Sequence, residues 1–270
     1  MNKSVLTKVF FKAARAAAAI LALTAFFSCK EAKEKNFLEK IKSKGELVIA
    51  TEGTWAPWNF HDKDGELTGY DIDIGKEICK RLGVKPRFIE VAWDRIFDSL
   101  ESGECDIILN GVGVNSEREG RYYFTEPYAY SKTVLLVHSN NDDIKSFSDL
   151  RGRTSANALG SNYCNIADKY GAIIILIDTF DETMDLLLQN RADTTINSDL
   201  SYYDYMNKYP NAKIKIAAVS DEISSIAIPC KRKVENLPLL AELNKALKEM
   251  RSAGILEELS IEYFKKDITK

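Results

Sequence analysis

The feature that most constrains this 270-residue chain is a repeated alternation of short apolar runs with amphipathic stretches, punctuated by glycine. The run ELVIA at 46–50 is short, apolar after its first residue and follows Gly45, so it reads as a buried strand. Asp71 then precedes Ile72, Ile74, Ile78 and Leu82, the spacing of a helix packed on one face, and Gly83 stops it. A strand at 87–91 follows, then a helix through Phe97 and Leu100 with Asp94 as its expected cap, ending at Gly103. Ile107-Ile108-Leu109 is the third apolar run. This βαβαβ order implies a parallel sheet covered by helices. In open sheets of that kind, ligands bind outside the carboxyl ends of the strands. The unusual residues of this half all fall at those ends. Glu52, Trp55 and Trp58 follow the first strand, and Trp93 follows the second. The third strand opens into Gly111 and Gly113, where a ligand can approach bare backbone, and then Arg118, whose planar fork of donors suits a carboxylate. Trp55 is expected in a binding wall. Trp58 fits a wall or the core equally well.

The second half repeats the scheme. An extended apolar run at 132–138 gives way to Asn140-Asn141-Asp142-Asp143, and Arg151-Gly152 restarts the alternation. A strand holding Thr154 and Ala156 leads to Leu159-Gly160-Ser161-Asn162 and a helix at 163–170. That loop is either an anion site made of N–H groups at a helix start or a simple helix cap. A strand at 173–177, a helix at 180–188 and a strand at 193–196 follow. The loop Asn197-Ser198-Asp199 then precedes a tyrosine-rich helix at 200–209. The chain returns through 224–230 to a long helix at 238–253 and a short helical end at 255–267. Two αβ sets joined by extended segments predict two lobes with a cleft between them. The first is expected at 37–130 and 228–270, the second at 131–227.

The N-terminus reads differently. Lys3, Lys8, Lys12 and Arg15 precede an apolar run at 16–27 that is short for a membrane span, and Ser28-Cys29 closes it. Residues 1–28 are expected to be a secretion signal. A small residue before cysteine resembles the bacterial lipobox, which would make Cys29 a lipidated N-terminus that anchors without spanning; ordinary cleavage nearby is the alternative. Residues 29–36 are polar and read as a tether. Without the signal, 33 basic residues face 40 acidic ones, a net charge of −7, which argues against nucleic acid or an anionic membrane surface as partner. Cys79, Cys105, Cys164 and Cys230 form no CxxC, and neither they nor His61 and His138 have metal-ligand spacing. No cofactor or metal is expected, and the protein is expected to be a monomer.

Several segments together carry a family resemblance: ATEGTWAPWNF, LTGYDIDIGKEICKRLG, VAWDRIFDSLESGECDIILNGVGVNSERE, FTEPY and ELSIEYFKKDITK. They resemble the family 3 solute-binding proteins of ABC transporters for polar amino acids, over about 47–269. The resemblance implies a two-lobed periplasmic-binding-protein fold of type II, with crossovers near 129–134 and 224–227, closing on an amino acid. It places Trp55 and Trp93 around the ligand. It places Gly111 and Gly113 backbone groups with Arg118 on the ligand α-carboxylate, and Ser161 and Asn162 on the second lobe. Within the family, GRTSANALGSNYCNIADKYGA and the ending DITK are most similar to the cystine-binding branch. Many members use an aspartate to hold the ligand ammonium where this chain has Ser198, with Asp199 one residue later. Either Asp199 reaches in, or Ser198 serves with water; Glu52 is a further candidate for that end. The implied role is an extracytoplasmic, lipid-anchored receptor that delivers cystine or another polar amino acid to a membrane permease. The alternatives are an enzyme of the cyclohexadienyl or prephenate dehydratase kind on the same scaffold, for which Glu52 is the one evident acid or base, and a ligand-sensing module.

Overall fold

The computed structural model describes residues 36–270; the expected signal, the anchor Cys29 and the tether up to residue 35 lie outside the described residues. Helix α1 (Phe37–Lys44) buries Ile41 and ends at Gly45. Strand β1 (Glu46–Thr51) comes next, followed by a small antiparallel sheet of β2 (Thr54–Trp55), β3 (Asn59–His61) and β4 (Leu67–Thr68). Then come α2 (Tyr70–Leu82), β5 (Lys85–Glu90), α3 (Trp93–Ser102) and β6 (Ile107–Ile108). β1 lies between β5 and β6 in a parallel sheet, as the βαβαβ order requires. Its alternating side chains serve two cores. Leu47 and Ile49 pack with Ile74 and Ile78 of α2, while Val48 and Ala50 pack with Ile96 and Leu100 of α3. A strand covered on both faces is continuously apolar for that reason. Asp94 is not the cap of α3: the helix starts at Trp93, capped by Ala92 without a side-chain bond. Asp94 sits in the first turn, where its charge complements the helix dipole.

Helix α4 (Ser116–Arg121) is capped by Asn115, whose Oδ1 accepts from the Arg118 N–H at 2.8 Å, and runs into β7 (Tyr122–Phe124). Strand β8 (Ala129–His138) then carries the chain out of the first sheet. The second lobe contains β9 (Thr154–Asn157), α5 (Asn162–Lys169), β10 (Ile173–Leu176), α6 (Phe180–Leu188), β11 (Thr194–Ser198) and α7 (Asp199–Lys208). β12 (Ile214–Ile226) returns the chain, and β13 (Pro229–Lys231) pairs with β7. Finally α8 (Leu237–Ser252) and α9 (Ile255–Phe264) pack on α2. The second sheet runs β10-β9-β11-β8-β12, with β8 antiparallel to both neighbours. Leu135 and Val137 of β8 face one apolar cluster, Val134 and Leu136 the other.

The two crossing segments are β8 and β12. They pair antiparallel where they leave the first lobe, with Ala129 opposite Ile226 and Ser131 opposite Ser224. Most of β12 escapes the sequence reading, because two register shifts and an exposed middle break the alternation that marks a strand. The expected loop at 197–199 is also absent. β11 runs through Ser198, and α7 begins at once at Asp199, because Ser198 Oγ accepts from the Leu200 N–H at 3.1 Å and caps the helix directly.

Candidate ligand site

The strand ends of the two lobes face a shared cavity of about 780 Å³, open to solvent, with Glu52, Trp55, Trp93, Gly111, Gly113 and Arg118 on the first-lobe side. Glu52 leaves the end of β1. Its Oε2 accepts from Asn110 Nδ2 at 2.7 Å, and Asn110 Oδ1 accepts from the Glu52 N–H at 2.8 Å. Asn110 therefore grips both backbone and side chain. Burial raises the Glu52 pKa above the usual carboxylate range, opposed by the Asn110 bond and by the Trp93 backbone.

Arg118 is 7% exposed. Its Nη1 donates to Gly113 O at 2.8 Å and its Nη2 to Gly160 O at 3.1 Å. The guanidinium lies 5.1 Å from the Trp93 ring and 5.0 Å from the Phe97 ring. Burial draws its pKa down to about 10, so it stays charged at neutral pH. A guanidinium has five N–H donors, and the two bonds to carbonyls leave others for a ligand.

The two tryptophans of the first loop separate. Trp55 is half-buried on the cavity wall, and its Nε1 donates to Ser201 Oγ of α7 at 3.0 Å. Trp58 is core, 1% exposed, packed on Phe264 and Tyr70. Hydrogen bonds thus cross the cleft, among them Trp55 to Ser201, Arg118 to Gly160, and Asn115 Nδ2 to Asn162 Oδ1 at 2.7 Å.

Three expected roles change. The Gly111 N–H is spent inside the protein, donating to Asp71 Oδ2 at 2.6 Å. Gly111 is needed for another reason: a Cβ there would lie 2.8 Å from the Trp55 ring and 3.1 Å from Trp58, and its φ is +54°. Ser161 lines the cavity, and its Oγ donates to Ala158 O at 2.8 Å and accepts from the Cys164 N–H at 3.0 Å, so its hydroxyl caps α5. Asn197 lines the cavity, whereas Ser198 and Asp199 do not. Asp199 accepts from the Lys132 N–H at 2.9 Å and from Lys266 Nζ at 3.3 Å, which ties α7 to a crossover and to the C-terminal segment. Its carboxylate is engaged there and does not reach the ligand space.

The sequence reading missed Asn110 and Asp71, and on the second lobe Tyr163, Asp178, Phe180 and Thr183, all four of which line the cavity. The strand-end rule points to residues 177–180, directly after β10, once it is applied to the second lobe as well as the first. Among the described residues no group of His, Cys, Asp or Glu could hold a metal, and the four cysteines there are free and buried.

Residues 47–266 match the bacterial extracellular solute-binding proteins, family 3. The L-cystine-binding protein TcyA of Bacillus subtilis is 37% identical over 88% of this chain and 88% of its own. The crystal structure of the L-cystine solute receptor of Neisseria gonorrhoeae, in an unliganded open conformation, is 37% identical. It covers 86% of this chain and 98% of that one, with a TM-score of 0.59. An ancestral arginine-binding protein bound to arginine is 32% identical, covers 82% and 98%, and superposes better, at 0.76. The less similar sequence has the more similar shape, and hydrogen bonds join the two sides of the cleft in this structure. The mixed α/β architecture in two lobes is that of the type II periplasmic-binding proteins.

Proposed function

The chain belongs to the bacterial extracellular solute-binding proteins of family 3, and on that premise we propose that it captures L-cystine in the cleft and hands it to an ABC permease. It is a binding protein rather than an enzyme: its matches are named as solute-binding and amino-acid-binding proteins, and the dehydratase alternative has no better support. As a member of an extracellular family it acts outside the cytoplasm.

One observation carries the ligand class. A buried guanidinium, Arg118, and a half-buried carboxylate, Glu52, which forms no ion pair among the described residues, line the same cavity. A zwitterionic α-amino acid pairs both, and buried charges need such pairing. Arg118 with the Gly113 backbone takes the α-carboxylate. Glu52 takes the ammonium, the role that Ser198 and Asp199 leave open. Trp55 and Trp93 flank the ligand, with Asn162 closing from the second lobe. Cystine has a second zwitterionic end. The cavity continues past the Arg118–Glu52 pair to Asp178, Thr179 and Thr183 of the second lobe, a second polar set of suitable kind. The disulfide sulfurs suit contact with aromatic rings.

In this reading the lobes comprise 37–130 with 228–270, and 131–227, and β8 and β12 form the hinge. Cleavage after 28 exposes Cys29, whose lipid holds a monomeric receptor at the membrane through the tether. Calorimetry of the ligand-stripped mature chain against cystine, cysteine, glutamine, glutamate, arginine and histidine tests the assignment. Tight one-to-one binding of cystine alone is expected. Binding of another amino acid alone replaces the ligand, and no heat with any of them overturns the proposal.

A further inference from the structure

Asp71 is fully buried, on the second residue of α2, and among the described residues no Lys or Arg forms an ion pair with it. Burying a carboxylate without a cation is costly, and the cost appears in its pKa, which burial pushes up to about 7 against two hydrogen bonds that oppose the rise. Those bonds lead to two different places. Oδ2 accepts from the Gly111 N–H at 2.6 Å, and Oδ1 accepts from the Tyr128 hydroxyl at 2.7 Å.

Gly111 stands in the middle of the turn that builds the first-lobe wall. Asn110 before it grips Glu52. Gly113 after it accepts the bond from Arg118. The face of Gly111 itself packs under the Trp55 ring. Tyr128 stands at the root of the hinge. It precedes β8, its N–H donates to Ile226 O of the returning strand at 2.9 Å, and its own carbonyl accepts from Tyr70 at 3.3 Å. An ionised carboxylate suits this junction because each of its two oxygens accepts from one of the two donors and it offers acceptors only.

We propose that Asp71 is a positioning residue for ligand binding, whose carboxylate fixes the 110–113 turn against the hinge root so that Glu52, Trp55 and Arg118 hold their places. It touches no ligand. The inference takes its ligand from the cystine reading, and the test separates the two.

Asp71→Asn keeps the shape and one acceptor but sets an amide where a second acceptor stood. Tyr128→Phe removes only the hinge half of the link. Each is titrated with L-cystine. A buried hydrogen bond lost without unfolding lowers affinity by about tenfold. Asp71→Asn is expected at about that loss, and Tyr128→Phe at a smaller one. Because both substitutions break one link, the double variant is expected to bind like Asp71→Asn alone. A second arm needs no ligand: 5-fluorotryptophan is incorporated, and the ¹⁹F resonance of Trp55, identified with Trp55→Phe, is followed in the unliganded protein. In Asp71→Asn that resonance is expected to shift while the Trp93 resonance stays. Affinity within twofold of wild type, losses that multiply in the double variant, or an unmoved Trp55 resonance would each overturn the proposal. Should wild type fail to bind cystine, the ligand reading falls while the ¹⁹F arm still decides the role of Asp71.

Discussion

On the first-lobe wall the candidate groups are held from behind: Glu52 by buried Asn110, Arg118 against the Trp93 and Phe97 rings, and Trp55 on buried Gly111. The second-lobe wall is assembled largely from loop ends and helix starts, Asn162 and exposed Asp178 among them, with buried Asn157 and Ser161 beside them. Fixed donors and acceptors cost no reorganisation when the ligand arrives, so affinity is set where the partners are locked. Loosely held groups that meet the other lobe only on closure act as a lid. On the proposed reading the first lobe is the socket and the second the lid. Substitutions on the first wall are therefore expected to cost more affinity than those on the second.

Arg118 tests this contrast most severely. Charge-assisted hydrogen bonds contribute roughly 1.5–3 kcal/mol each. Losing two of them corresponds to a hundredfold or greater drop at about 1.4 kcal/mol per decade. Arg118→Ala is expected to lose at least about a hundredfold in affinity for the identified amino acid while keeping a cooperative melt, as read by calorimetry and circular dichroism. A loss below tenfold would move the carboxylate anchor off the first lobe.

Glu52 gives the next largest effect, and it depends on pH. Its pKa is raised by burial, so in the unliganded protein it takes up a proton at higher pH than an ordinary glutamate. Only the ionised form pairs with an ammonium. Wild-type affinity is expected to hold steady above that raised pKa and to fall as pH drops through it. Glu52→Gln is expected to bind about tenfold more weakly at neutral pH and to lack that fall. A calorimetric pH series in which the variant declines as steeply as wild type would assign the titration to another group.

The sequence shows the socket better than the lid, and the reason is physical. Glu52, Trp55, Trp93 and Arg118 follow strands whose apolar runs are unmistakable, so strand-end geometry locates them without any knowledge of packing. Asp71 and Asn110 were missed because a single polar residue inside an amphipathic segment looks like an ordinary exposed position; their burial and partners arise from contacts 40 and 58 residues apart in sequence. Ser198 and Asp199 were misplaced because the sequence suggests a loop where strand and helix meet without one. β12 was seen only at its end, since its register shifts erase the period-two signal over most of its length.

The smallest effect belongs to the contact that joins the two walls. Trp55 Nε1 reaches Ser201 Oγ across the cleft, and Ser201 is itself buried at the start of α7. The bond forms only when the lobes meet, so it stabilises the closed form relative to the open one. It is a neutral side-chain bond in a partly buried place, worth about 0.5–1.5 kcal/mol. Ser201→Ala is therefore expected to weaken binding by about two- to tenfold, entirely through closure. Trp55→Phe keeps an aromatic wall and removes the same donor, so the two substitutions together are expected to cost little more than the greater single loss. Small-angle scattering of the unliganded protein reads the cause directly: Ser201→Ala is expected to enlarge the radius of gyration by favouring the open form. If Ser201→Ala instead cost as much affinity as Arg118→Ala, the second lobe would be part of the socket and the division between the walls would fail.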